Sequence, residues 1–400
     1  MRQYTICKYS NKKIPVVMSF GNMPIANNFS KKKSKKTNFN MKIAFNEEYK
    51  LLQLVDTPPA KELFNSNYAF LSSTSKSMSN HFYKVSKIIK KKFLKKNGNI
   101  LEIGCNDGIF LKNFIKYNHL GIEPSKNVYK IAKSKGLNVI NSFFNTQLVK
   151  KKQLLFDCIY SANVICHIPN IKELFGCIKK ILNKNGVFIF EDPYLGDILK
   201  KTSYDQIYDE HFYYFCLTSI NKIANDFGLE VFNVEKINTH GGSMRYYISY
   251  RNFRKINKII NKINFYEKVI INIKALKRFK QEIIKSRRRI LKIINKYKKY
   301  KIYGYGATSK SSTIINYCKI NNKMIRGIFD TSSTKINKYT PKSNIKIIDY
   351  NKFKKINPKY CFLFAWNHYK EILKKEKNNK IRWITHINKS HFKNYKNFFI

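Results

Sequence analysis

Between residues 99 and 192, short apolar runs alternate with amphipathic ones. NILEIG reads as a buried strand, FLKNFIKYN as a helix and HLGIEP as a strand with a turn. VYKIAKSKG then reads as a helix, LNVINSFF and FDCIYSANVI as strands, IKELFGCIKKIL as a helix and GVFIFED as a strand. Strands alternating with helices predict a parallel, doubly wound α/β sheet. Downstream, LTSINKIANDFG has helical spacing and closes at Gly228, and LEVFNVEKI and MRYYISYRN read as strands. Residues 254–298 contain neither Pro nor Gly and are rich in Lys and Ile, which predicts a long helix or a helical pair packed on the core as a connector. KIYGYGATSKSSTIINYC opens a second strand–turn–helix. MIRGIFD, KIIDY, KYCFLFAW and IRWITH follow as strands, a second α/β unit over residues 299–400. Residues 61–97 look helical and end in KIIKKKFLKK before the breaker NG, whereas residues 1–60 show no clear period.

Length and composition narrow the class. A chain of 400 residues exceeds one ordinary core, so two or three domains are expected. Hydrophobic residues at 43% and aromatics at 15% exclude a disordered chain. The net charge of +54 invites a polyanion partner, but the basic runs KKKSKK, KIIKKKFLKK and KRFKQEIIKSRRR are scattered and coincide with no single motif. The expectation is a solvated basic surface without a specific nucleic-acid partner. The eight cysteines stand singly and form no CxxC pair, so no disulfide framework is expected and reduced thiols in a cytoplasm fit. No stretch reaches about 20 uninterrupted apolar residues, so no membrane span is expected. The oligomeric state is open.

Several motifs carry chemistry. In ILEIGCNDGIFLKNF a strand runs into Gly104, and Gly108 follows four residues on. Gly104 lets a ligand approach the backbone where a Cβ would obstruct it. This GxxxG spacing is that of adenosylmethionine-binding folds and not the dinucleotide GxGxxG, with Asn106 or Asp107 facing the cofactor's amino-acid end. Glu123 ends the next strand, nineteen residues after Gly104, where an acid accepts hydrogen bonds from ribose hydroxyls. Asn163 and His167 follow the strand FDCIY and are delivered to the same crevice. In THGGSMRYY, two glycines lie beside His240, Ser243 and Arg245, suited to a polar or phosphorylated ligand that Arg245 would grip through paired hydrogen bonds. GYGATSK, ending in Lys310, is a candidate phosphate cradle without Walker spacing.

With these residues in view, the chain resembles the sugar C-methyltransferases, which methylate C3 of nucleotide-linked 4-keto deoxysugars with S-adenosylmethionine. The resemblance runs in order through GNMPIANNF, FNSNYAFLSSTSKSMSNHF, LEIGCNDGIFLKNF, GIEPS, SANVICHIPN, GVFIFEDPYL, YDEHFYYF, THGGSMRYY, YGYGATSKSSTIINYC and LFAWN. It implies a class I methyltransferase Rossmann-like sheet over residues 61–253. An N-terminal zinc-binding-like module over residues 1–60 and a C-terminal Rossmann-like domain over residues 299–400 would flank it, joined by the 254–298 connector. It also implies S-adenosylmethionine near Gly104, Asp107 and Glu123, a nucleotide sugar between the central and C-terminal domains, and a reactive cluster of Tyr208, Glu210 and His211 with His167 nearby. The chain departs from the family in places. Of the module's usual four thiols only Cys7 remains, with Ser10, Asn46 and Tyr49 at the other positions, so zinc is not expected. Asp209 replaces the first histidine of the HEH run, and of the YxY pair Tyr68 is kept while Phe70 replaces the second tyrosine.

The resemblance gives YDEHFYYF a task. Carbon methylation needs a base to remove a proton beside a ketone, and a means of stabilising the enolate oxygen. His211 is the expected base, with Glu210 setting its tautomer or acting as base itself. Tyr208 and His167 would donate to the oxyanion, and Phe212, Tyr213 and Tyr214 would wall out water. Two other readings are an RNA methyltransferase that exploits the basic surface, and a non-catalytic sugar-binding relative.

Overall fold

The computed structural model describes residues 3–66, 68, 70–152, 154–377 and 380–400. The strands, in chain order, are β1 Tyr4–Ile6, β2 Lys13–Met23, β3 Phe39–Asn46, β4 Leu51–Leu54, β5 Asn99–Ile103, β6 Asn118–Ile122, β7 Val139–Ile140, β8 Phe156–Ala162, β9 Leu182–Pro193, β10 Tyr213–Tyr214, β11 Leu229–Ile237, β12 Ser243–Tyr250, β13 Ile302–Tyr305, β14 Ile328–Asp330, β15 Ile347–Asp349, β16 Tyr360–Leu363 and β17 Arg382–Ile384.

They form three sheets. The central sheet has the order β11-β12-β9-β8-β5-β6-β7. Strands β5 to β9 are mutually parallel, while β12 and β11 return antiparallel at one edge, so the predicted all-parallel sheet holds for five of its seven strands. The strand order reverses beside β5, which has β6 on one side and β8 on the other. A crevice therefore opens outside the carboxyl ends of β5, β6 and β8, where ligands of such sheets bind. This is the class I methyltransferase arrangement. The C-terminal sheet, β15-β14-β13-β16-β17, is parallel throughout and makes a second α/β unit.

Patterning explains the elements. The helix Ile171–Ile181 buries Ile171, Leu174, Phe175, Ile178 and Ile181 on one face, and Asn170 caps it by accepting from the Glu173 amide at 3.1 Å. FLKNFIKYN yields only a short 3-10 turn, Leu111–Phe114. There the Asn113 amide donates to the Ile109 and Phe110 carbonyls, competing with a regular helix. The 61–97 segment is two helices, Ala60–Leu63 and Lys76–Lys92, and the chain between them carries Tyr68. The predicted connector is a helical pair, Ile259–Ile270 and Ile273–Lys296. Its second helix buries Leu276, Phe279, Ile283, Ile290 and Ile294 and ties to the C-terminal unit through Arg289, which donates to the Thr385, His386 and Ile387 carbonyls. No helix among the described residues is long and apolar enough to cross a membrane.

Residues 1–60, unassigned from sequence, fold as the antiparallel sheet β1-β2-β3-β4, and β10 completes it from deep in the chain. The positions of the missing zinc ligands still converge. The Asn46 amide donates to Cys7 Sγ at 3.3 Å and to Ser10 Oγ at 2.9 Å, while its oxygen accepts from the Tyr49 amide at 3.0 Å. The module is thus closed by hydrogen bonds as well as by packing.

One buried carboxylate joins the connector to the central unit. Glu267 is fully buried and accepts from Tyr194 Oη at 2.9 Å, from the Leu217 and Thr218 amides at 2.8 Å each, and from Thr218 Oγ1 at 2.7 Å. Glu267→Ala leaves these donors unpaired, and the expected loss is about 3–5 kcal/mol. Urea unfolding of the two proteins measures it; a loss under about 1 kcal/mol contradicts the assigned role.

Candidate active site

The carboxyl ends of β5, β6 and β8 open into a cavity of about 690 Å³ that also reaches the loop after β13. The end where the cofactor is expected is lined by Gly104, Asn106, Glu123 and Asn163. Gly104 holds φ at +71°, and a Cβ there would lie 2.4 Å from Val164, another lining residue, so the turn requires glycine. Glu123 accepts from the Asn106 amide at 3.0 Å and the Ser125 amide at 2.8 Å, which fixes its carboxylate at the cavity wall. Among the described residues, Asn163 Oδ1 is buried without a hydrogen-bond partner. A glycine turn, a fixed acid and an orphaned amide oxygen suit a ligand with an amino-acid group and a ribose.

Other expected members of this end do different work. Asp107 is fully buried outside the cavity lining, with Lys135 Nζ 3.6 Å from its carboxylate. Gly108 also lies off the cavity; a Cβ there would meet Leu137 at 2.1 Å, so it serves packing. The Asn106 side chain holds the loop above the cavity, accepting from the Ser72 amide at 2.9 Å and donating to the Phe70 carbonyl at 3.3 Å.

At the reacting end stand His167, Gln206, Tyr208, Glu210 and His211. His211 Nδ1 donates to the Gln206 carbonyl at 2.8 Å, which leaves the lone pair on Nε2. Its ring lies 5.1 Å from that of His167 and 4.3 Å from that of Tyr208. Burial, then the neighbouring His167 and Lys310, hold His211 well below its ordinary pKa. Burial alone pushes His167 down to about 3, so both imidazoles are neutral at working pH. Tyr208 and Tyr68 are pushed well above the ordinary phenol range, by burial and then by Glu210, and remain O–H donors. Glu210 accepts from Asn27 Nδ2 at 2.5 Å and from Tyr68 Oη at 3.4 Å. Burial first, and then the adjacent Asp209, push the Glu210 carboxyl upward.

The third wall comes from β13 and the segments near it: Thr308, Ser309 and Lys310, with Lys335, His240 and His368. Lys310 Nζ donates to the His240 carbonyl at 3.3 Å, and burial brings its pKa down to about 8. Lys335 Nζ donates to the Ala307 carbonyl at 3.0 Å and is likewise lowered by burial. Two half-buried cations beside the start of the helix Ser309–Tyr317 suit an anionic group.

Three readings need correction. Arg245 grips no ligand. Its Nε meets Glu191 at 2.7 Å and its Nη1 meets Glu235 at 2.7 Å, while His81 holds the other Glu191 oxygen at 2.6 Å. Ser243 is buried at the start of β12 and donates to the Thr239 carbonyl at 3.1 Å. Phe212, Tyr213 and Tyr214 do not wall the cavity; they turn into the N-terminal sheet, where Tyr213 and Tyr214 pair with Gln53 and Leu52. Sequence reasoning passed over Lys335, Gln206, His368 and Asn27. GNMPIANNF pointed to the region of Asn27, but one lysine among so many carried no signal.

A family model described as a methyltransferase domain matches residues 79–234, and one described as a C-methyltransferase C-terminal domain matches residues 238–387. The chain is 26% identical over 375 residues to the C-methyltransferase NovU of Streptomyces niveus, covering 90% of this chain and 89% of that protein. Solved structures that match include an S-adenosylmethionine-dependent methyltransferase from Clostridium acetobutylicum ATCC 824, at 15% identity and a TM-score of 0.34, over 44% of this chain and 93% of that one. Another is the plantazolicin methyltransferase BpumL in complex with SAH, at 14% identity and a TM-score of 0.37, over 48% of this chain and 94% of that one.

Arg245→Ala separates its structural role from a ligand-binding one. Removing the guanidinium strands the fully buried Glu191, at an expected cost of about 3–5 kcal/mol in thermal or urea unfolding. Burial pushes the Glu191 carboxyl up, but His81 and Arg245 outweigh it and leave it below its ordinary value. Its contribution is therefore complete above the ordinary glutamate range and lost as pH falls below that range. A variant of unchanged stability with impaired substrate affinity would reinstate the ligand-binding role.

Proposed function

From the chain's place among the S-adenosylmethionine-dependent C-methyltransferases, we propose that it methylates C3 of a nucleotide-linked 4-keto deoxysugar through an enolate. The observation that carries this reading is the composition of one cavity, where the cofactor residues, a neutral imidazole whose Nδ1 is taken by a carbonyl and two half-buried lysines line one space. Bound S-adenosylmethionine supplies an electrophilic methyl on a sulfonium, and Gly104, Glu123 and Asn163 would hold it.

The chain's own groups do the rest. Lys310 and Lys335 take the diphosphate, which directs the sugar toward His211. His211 Nε2 removes the proton at C3, since its tautomer is already set by the Gln206 carbonyl. Tyr208, kept protonated by its surroundings, and His167 donate to the oxygen that gains charge. Tyr68 and Phe64 border the same space and limit access of water to the enolate.

A second assignment of the base has its own support. Burial lowers the basicity of His211 and raises that of Glu210, so Glu210 moves toward the range in which a general base works best near neutral pH. Deuterium exchange at C3 in the absence of methyl transfer discriminates the two. If His211 is the base, His211→Ala abolishes exchange while Glu210→Gln retains part of it; the reverse pattern assigns Glu210.

Mass spectrometry after incubation with S-adenosylmethionine and a panel of nucleotide-linked 4-keto deoxysugars tests the substrate. A methyl gain that disappears in His211→Ala, with cofactor affinity unchanged, is the expected result; methyl gain on RNA and on no sugar would overturn it. Lys310→Met is expected to raise KM for the acceptor roughly 10–100-fold, the range for a lost hydrogen bond to a charged group, and to leave cofactor affinity unchanged.

A further inference from the structure

Asn27 lies in the N-terminal unit, yet its side chain sits between the other two. Its Nδ2 donates to Glu210 Oε1 at 2.5 Å, and its Oδ1 accepts from Ser309 Oγ at 2.8 Å. The Glu210 carboxylate fixes which end of the carboxamide faces it, because only the NH2 end can donate to a carboxylate, and the Ser309 hydroxyl then donates to the remaining Oδ1. The preceding amide, Ala26 N–H, donates to both oxygens of Asp209 at 3.2 and 3.1 Å. Two consecutive residues of one loop thus hold two consecutive acids of another, 183 positions away.

We infer that Asn27 is a positioning residue for methyl transfer: it orients the Glu210 carboxylate beside His211 and links it through Ser309 to the loop that carries Lys310. The inference deepens the reading given above and rests on it for the identity of the reaction. It assigns the N-terminal unit a direct part in the active site. Ser309 and Lys310 are adjacent, so a ligand drawn to Lys310 meets the same loop that steadies Asn27.

The groups facing Glu210 define what the carboxamide does. Asp209 opposes its negative charge, Tyr68 donates to it, Tyr208 and the neutral Cys166 thiol lie in its field, and Lys335 favours its ionised form. Asn27 makes a shorter hydrogen bond to Glu210 than Tyr68 does. Donation to the charged form favours that form, so removing the carboxamide raises the pH at which Glu210 ionises.

Infrared difference titration of the full-length protein reads this without any sugar, with the Glu210 band identified by its absence in Glu210→Gln. In Asn27→Ala the Glu210 transition is expected to move up by about one pH unit or more. In turnover, kcat should fall roughly 10–100-fold with KM changed less than about threefold, the signature of misplacement as opposed to lost binding. Ser309→Ala, outside the N-terminal unit, should move the same band in the same direction by less, and it carries the test if Asn27→Ala fails to fold. An unmoved Glu210 band in folded Asn27→Ala, or in Ser309→Ala when that is the variant available, overturns the inference. A moved band in a protein that methylates no nucleotide-linked ketone supports the positioning role and removes the substrate reading instead.

Discussion

Burying two neighbouring carboxylates is the constraint on which the site depends. Asp209 and Glu210 are almost wholly removed from water, and an ionised carboxylate in such surroundings is costly unless donors and cations meet it. The chain meets it from three directions. Ala26 and Asn27 arrive from the N-terminal unit, Tyr68 from the loop between two helices, and Lys335 from the C-terminal unit. None of these lies near the acids in sequence. The acids therefore act as a clasp: the cavity is complete when the three sheets are in place, and any one of them absent leaves a buried charge uncompensated. A second contact works alike, where Asp205 accepts from Trp366 Nε1 at 2.7 Å and His386 Nε2 lies 2.9 Å from its other oxygen, joining the central unit to the C-terminal one.

The same constraint accounts for an N-terminal unit in which Ser10, Asn46 and Tyr49 stand where the family resemblance would place thiols. Its knuckle is closed by the Cys7–Ser10–Asn46 hydrogen bonds, and its sheet is extended by β10, the tail of the segment that carries the acids. YDEHFYYF divides by task. Tyr208, Glu210 and His211 face the cavity, Asp209 holds Ala26, and Phe212 to Tyr214 run into the N-terminal sheet. A short run of aromatics beside catalytic groups looks like a wall for the substrate, but here it is the seam between two units.

What could be read in the chain before its structure follows from what is local. Alternating strand and helix periods, a glycine after β5 and an acid after β6 are properties of neighbouring residues, and they placed the crevice and its cofactor end. Long-range pairing is not local. Arg245 looked free because nothing nearby in THGGSMRYY neutralises it, whereas its main partner, Glu191, is 54 residues away on the adjacent strand β9. Lys335 was hidden among 78 cationic residues, and only burial beside a cavity distinguishes it. Gly108 was assigned to the cofactor by its spacing, yet its requirement comes from Leu137, which packs against it. Motif spacing thus located the site better than it assigned roles within it.

The electrostatic behaviour of the cavity has one direction. Burial depresses His167, His211, Lys310 and Lys335 and elevates Glu210 and Asp209, so each group is moved toward its neutral form. On the proposed reading, an anionic diphosphate reverses that tendency where it binds. It favours the charged forms of Lys310 and Lys335, and the positive charge of Lys335 in turn favours the Glu210 carboxylate. Substrate charge would then help to set the basicity of the site, coupling recognition at one end of the cavity to proton removal at the other. The Ser309–Asn27–Glu210 hydrogen bonds run along the same line, so the mechanical and electrostatic links between the two ends coincide.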